Sequence, residues 1–141
     1  MIVVIDTNVV SEMMRLEPDL AVMEWVGRVG RLHTTAITVA EVEHGIARLP
    51  AGRRKERLAA VAAEVFADFG ELILPFDAPA GHRYGRIVAD RERAGRPITT
   101  ADAQIAAICA SAKATLATRN TRDFDGTGVS LVNPWQWVST T

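Results

Sequence analysis

The chain has 141 residues, 48% hydrophobic and 23% charged, with six prolines, which excludes a disordered chain and one too small to bury a core. Its formal net charge of −1 does not mark a nucleic-acid binder, yet fourteen of its sixteen basic residues are Arg, whose planar fork suits phosphate and carboxylate recognition. A lone cysteine, Cys109, excludes an intrachain disulfide framework and reads as core filler in a run of small apolar residues. The N-terminal Met-Ile-Val-Val-Ile-Asp lacks the basic start of a signal peptide, and no run approaches the roughly 18 to 20 apolar residues of a membrane span. The expectation is one domain over residues 1–141, in a reducing, cytoplasmic setting away from membranes.

Residues 2–5 form a short β-branched run, as expected of a strand buried on both faces, and stop at Asp6-Thr7-Asn8. Helical spacing follows over residues 9–16, and again after Pro18 at Leu20, Met23, Trp25 and Val26. These two segments hold more large apolar residues than one face easily buries, so they serve either core or partner. A second strand is predicted over residues 32–36 and a helix from Thr38 with Val39, Val42, Ile46 and Leu49 on one face, broken by Pro50 and Gly52. Then come helix 53–69, strand 72–74, helix 78–94 closing on Gly95, helix 100–112, strand 115–117, a polar loop 118–128 and strand 130–132. Arg53, Arg54 and Arg57, and Arg83, Arg86, Arg91, Arg93 and Arg96, form two clusters that fit solvated helix faces as well as phosphate contacts. Alternating strands and helices imply a mainly parallel sheet covered by helices, with its functional crevice at the strands' carboxyl ends.

Four acids are candidates for that crevice, and each has an ordinary structural role as an alternative. Asp6 follows a buried strand and caps a helix or faces the crevice; Thr7 and Asn8 are equally suited to capping, which makes the acid look surplus to folding. Glu41 stands three residues after Thr38, the capping-box spacing, and periodicity alone does not distinguish it from Glu43. Asp102 stands three residues after Thr99, at the head of a helix apolar almost all round, where a desolvated carboxylate needs a partner. Asp123 lies in the polar loop beside Arg119 and Arg122, which are ready surface ion-pair partners. If the fold gathers the four, mutual repulsion demands protons or a cation, and Mg2+ or Mn2+ is the hard, oxygen-loving choice. Such an ion activates water for in-line attack on a phosphodiester.

Four motifs occur in order along the chain: Val-Val-Ile-Asp-Thr-Asn-Val, Ile-Thr-Val-Ala-Glu-Val-Glu-His-Gly, Thr-Ala-Asp-Ala-Gln-Ile-Ala-Ala, and Ala-Thr-Arg-Asn-Thr-Arg-Asp-Phe followed by Val-Asn-Pro-Trp. In these the chain resembles the PIN-domain ribonucleases, most nearly the FitB-like subgroup of VapC-type toxins from bacterial toxin–antitoxin pairs. The resemblance implies a PIN-like α/β fold, with a mainly parallel central sheet covered by helices on both faces. It implies catalytic, metal-holding acids at Asp6, Glu41, Asp102 and Asp123, choosing Glu41 over Glu43 by its distance from Gly45. It also implies supporting roles for Thr7, Asn8, Thr118 and Asn120. The implied activity is Mg2+- or Mn2+-dependent cleavage of single-stranded RNA, by a homodimer silenced by a cognate antitoxin.

Rival readings are weaker. A haloacid-dehalogenase-like phosphatase needs a second Asp two residues after the first, and Asn8 cannot be a general acid. A metal-free ribonuclease needs converging imidazoles, and His33, His44 and His82 lie on separate elements. An inactive or regulatory module that uses its acidic site only to bind is the alternative of a different class. Trp135 and Trp137 read as packing residues of the returning tail rather than base-stacking platforms.

Overall fold

Asp6 does end the first strand, and the rest of the molecule is arranged around that point. The computed structural model describes residues 1–139. Strand β1 (Val3–Ile5) alternates across the sheet, with Val3 and Ile5 in one apolar cluster and Val4 in the other. Helices α1 (Thr7–Met13), α2 (Leu20–Val29), α3 (Ala36–Ala47) and α4 (Arg53–Phe69) supply Val9, Val22, Trp25, Val42, Ile46 and Ala62 to the first cluster. Helices α5 (Ala78–Arg93) and α6 (Thr100–Ala112) supply Ala80, Ile87 and Ile105 to the second.

Strands β4 (Thr115–Ala117) and β5 (Ser130–Val132) extend one side of β1, while β2 (Thr34–Thr35) and β3 (Ile73–Leu74) pair with each other. A bridge joins the two sets: the Ile5 N–H donates to the His33 carbonyl at 2.8 Å and the His33 N–H to the Val3 carbonyl at 2.8 Å. The spatial order is therefore β3-β2-β1-β4-β5, and every pairing is parallel. The chain leaves β1 to one side and later returns to the other, so the topological switch point lies between β1 and β4. Among the described residues no helix is long and apolar enough to cross a membrane.

Two helices start earlier than their sequences suggest. Helix α3 begins at Ala36 rather than Thr38, because the buried Thr35 is its N-cap and accepts from the Thr38 N–H at 3.1 Å. Glu41 is thereby moved into the second turn and is no capping-box acid. Helix α1 begins at Thr7 rather than residue 9, and Asp6 is its N-cap, accepting from the Thr7 N–H at 2.8 Å. Asp6 is therefore not surplus to folding. The second strand is only two residues long, because His33 bridges singly and Ala36 already belongs to the helix. Of the large apolar residues on α1, its C-cap and α2, Met14 and Trp25 are buried and Met13 and Val26 pack against the first cluster, while Leu20 stays 81% exposed.

Candidate active site

Asp6 at the end of β1 and Thr118 just beyond β4 face each other across the switch point. The Thr118 hydroxyl donates to Asp6 Oδ2 at 2.7 Å, and Asn8 Nδ2 reaches both Asp6 Oδ2 at 3.3 Å and Thr118 Oγ1 at 3.2 Å. Thr118 Oγ1 also accepts from the Asn120 N–H at 3.1 Å, and Asn8 Oδ1 from the Arg119 N–H at 3.2 Å. One hydroxyl thus couples two strands and the following loop to a carboxylate that is only 5% exposed. Thr7 performs the same service on the other side, its hydroxyl donating to Glu41 Oε1 at 2.6 Å and lying 3.1 Å from the Thr38 hydroxyl. This contact ties α1 to α3.

Asp102 enters from the first turn of α6, where Thr99 is the N-cap and accepts from the Asp102 N–H at 3.2 Å. Asp123 enters from a 3-10 turn, Thr121–Phe124, anchored by the buried Phe124. All four acids line one cleft of about 460 Å3, together with Thr7, Asn8, Asn120 and the unforeseen Ser11, Glu12, Arg15, Arg119 and Trp135. Thr118 lies beneath it, fully buried and bonded to Asp6. Among the described residues none of the four acids has an ion-pair partner; it is Asp125, not Asp123, that meets an arginine, Arg96 at 3.6 Å.

Uncompensated negative charge marks the acids electrostatically. Burial pushes the Asp6 carboxyl up, opposed by its hydrogen bonds from Thr118 and Thr7, with Glu41 and Asp123 adding repulsion. Burial first, then Asp6, raises Asp102 to about 6, with Thr99 holding it down and Asp123 and Glu41 contributing further. The fully buried Cys109 thiol is pushed to about 12 by burial and by Asp6, which leaves it protonated filler.

The raised Asp102 carboxyl has a thermodynamic sign. Its stabilising contribution is fully present below 3.8, the ordinary value, and is lost as pH rises through about 6, because ionisation is harder in the folded state. Metal-free wild type should therefore lose melting temperature between these pH values relative to Asp102→Asn. Parallel thermal melts across that range check it; equal slopes in the two proteins would contradict the shift.

A divalent cation fits this donor set, since the acids offer it oxygen ligands and among the described residues none of the four forms an ion pair, although Arg15 and Arg119 also line the cleft. Among the described residues no three acidic, histidine or cysteine side chains are gathered closely enough to hold a metal ion between them. Mg2+ does not require three: it keeps several waters and is held by one or two carboxylates plus substrate phosphates. The open cleft suits that partial coordination.

Glu12 could have been found from spacing, since it follows Asn8 by four residues on one helix face. It is 6% exposed, accepts from Arg15 at 3.0 Å and from the Asp19 N–H at 2.8 Å, and so ties the end of α1 to the start of α2. Arg119 lies 5.0 Å over the Trp135 ring, and Trp135 also packs against the core, as its place in the tail suggests.

The fold and cleft define the chain as a doubly wound α/β protein with an acidic site at the switch point. It belongs to the PIN domain family, whose model matches residues 3–129. It is 37% identical over 137 residues to "VapC ribonuclease Y4jK" of Sinorhizobium fredii, covering 95% of this chain and 98% of that protein. It is also 37% identical over 139 residues to "Toxin FitB" of Neisseria gonorrhoeae, covering 94% of this chain and 98% of that one. The solved "Structure of FitAB bound to IR36 DNA fragment" contains a chain that superposes with a TM-score of 0.89 at 34% identity, over 99% of this chain and all of that one.

Proposed function

We propose that this protein is a Mg2+- or Mn2+-dependent endoribonuclease and the toxin of a toxin–antitoxin pair. The observation that carries the reading is the cleft at the switch point, where Asp6, Glu41, Asp102 and Asp123 meet without a cationic partner among the described residues. Similarity to a VapC ribonuclease and to a toxin over nearly the whole chain supports both halves of it.

In this reading the ion is held by one or two of the four acids while the others meet its bound waters, and Asp6 is oriented for it by Thr118, Asn8 and the Thr7 N–H. When bound, a divalent ion supplies stabilisation of the charge that develops on the phosphoryl and leaving oxygens and makes water easier to ionise. Burial and Asp6 hold the Asp102 carboxyl up in the metal-free protein, and a bound cation would favour its ionised form. Arg119, steadied by Trp135 and without a carboxylate partner among the described residues, meets a neighbouring phosphate of the RNA strand. Thr7 holds Glu41, and Asn120 closes the loop over Thr118.

Incubation with a mixed-sequence single-stranded RNA tests the reading. Cleavage should require added Mg2+ or Mn2+, stop with excess chelator and return when the ion is restored. Cleavage that persists in chelator, or RNA bound but never cut in either ion, contradicts it.

A further inference from the structure

Helix α5 reads as a solvated arginine-rich helix, and Arg93, paired with Asp90 at 3.0 Å, behaves so. Arg91 does not: it is 6% exposed and has no carboxylate partner among the described residues. Its fork is spent on main-chain carbonyls instead. Nη1 donates to the carbonyls of Asp123 at 2.8 Å and Asp125 at 2.9 Å, and Nε donates to that of Arg96 at 2.6 Å. The Arg96 N–H returns a bond to the Arg91 carbonyl at 2.9 Å. We propose that Arg91 is a positioning residue, whose buried guanidinium clamps the Asp123 turn to the α5–α6 connection and so holds Asp123 in the cleft beside Asp102.

Burying a guanidinium is costly unless its donors are used, and an aliphatic side chain fills such a site more cheaply. The three carbonyls come from the two segments that deliver the acids. Arg91 also lines a small cavity of about 110 Å3 with Thr99, Asp102 and Asp123, so it stands near both acids. The fork is needed for this span, because the single ammonium of Lys cannot occupy the Nε and Nη1 positions at once. At the rim, Arg96 repeats the tie through the Arg122 carbonyl at 3.3 Å and Asp125 at 3.6 Å, but that pair is half exposed and contributes little.

The proposal rests on the acids binding a divalent ion, and its test separates the two. Mn2+ affinity is measured by calorimetry for wild type, Arg91→Leu, Arg91→Lys, Asp123→Asn and Arg91→Leu/Asp123→Asn, with amide exchange of residues 121–125 followed in parallel. Displacing residues that orient ligands weakens metal binding about 10- to 100-fold, the loss expected for Arg91→Leu, with Arg91→Lys intermediate. Because Arg91 acts through Asp123, the same change in the Asp123→Asn background should cost about twofold or less. Exchange at 121–125 should quicken in either Arg91 variant while the sheet amides hold. A full-sized loss in both backgrounds, or unchanged affinity, overturns the role. If wild type binds no Mn2+, the metal reading falls by itself and exchange decides: unchanged rates at 121–125 overturn the clamp, and faster rates uphold it. Arg91→Lys carries the test if Arg91→Leu does not fold.

Discussion

Asp102→Asn should cut RNA about a thousandfold more slowly than wild type, because metal-ion stabilisation of transition-state charge is worth several kcal/mol and each 1.36 kcal/mol is tenfold in rate. Asparagine keeps the size and the position behind the Thr99 cap, so the helix start is unchanged. What disappears is one anionic oxygen donor for the ion. The fold should not suffer. Asp102 is raised to about 6 by burial and by Asp6, so its ionised form works against the metal-free protein near neutral pH, and the amide removes that repulsion. Single-turnover cleavage beside a thermal melt reads both effects. A variant that melts like wild type and cuts at nearly the wild-type rate would remove Asp102 from the site.

Thr118→Val should be damaging for the opposite reason, since it leaves every carboxylate in place and removes the hydroxyl that organises them. The side chain keeps its shape, but Asp6 Oδ2 loses a 2.7 Å bond and Asn8 Nδ2 and the Asn120 N–H lose their acceptor, all at a fully buried position. Losing a hydrogen bond to a charged group costs roughly 1.5–3 kcal/mol, so urea unfolding should show about 2 kcal/mol of lost stability. The Asp6 carboxyl, which that bond holds down, should rise further, and Mn2+ affinity near pH 7 should fall about 10- to 100-fold. A variant as stable as wild type with unchanged metal affinity would show that Asp6 needs no such support.

Most of this architecture is legible in the amino-acid order where local chemistry is unambiguous. Helices Arg53–Phe69 and Thr100–Ala112 fall where expected, the first between Gly52 and Gly70 and the second after the Thr99 cap. Strands Thr115–Ala117 and Ser130–Val132 are short apolar runs between polar breaks and also fall in place. The start of α3 is not legible, because Thr34, Thr35 and Thr38 are all competent caps, all fully buried, and only the bond from the Thr38 N–H to the Thr35 hydroxyl identifies the one used. The capping alternative for Glu41 disappears with that choice, and the capping alternative for Asp6 turns out to coexist with its place in the cleft.

Arg91 is invisible for a different reason. On an amphipathic helix a buried arginine and a solvated one carry the same letter, and only the carbonyls supplied by residues 96, 123 and 125 tell them apart. Glu12 is less hidden, since its spacing from Asn8 gives its helix face, but its burial depends on Arg15 and the Asp19 N–H. The gathering of the acids into one cleft depends on strand order, which no local pattern states: β1 and β4 must be neighbours for Asp6 to meet Thr118.

The measurement that bears most directly on the acidic cleft is calorimetric titration of Mn2+ into metal-free wild type and Asp6→Asn, each first shown to be folded. Saturable binding by wild type, abolished or weakened at least about tenfold by neutralising the most buried of the four acids, is the expected result. Equal affinity in the two proteins, or no binding by either, would contradict it.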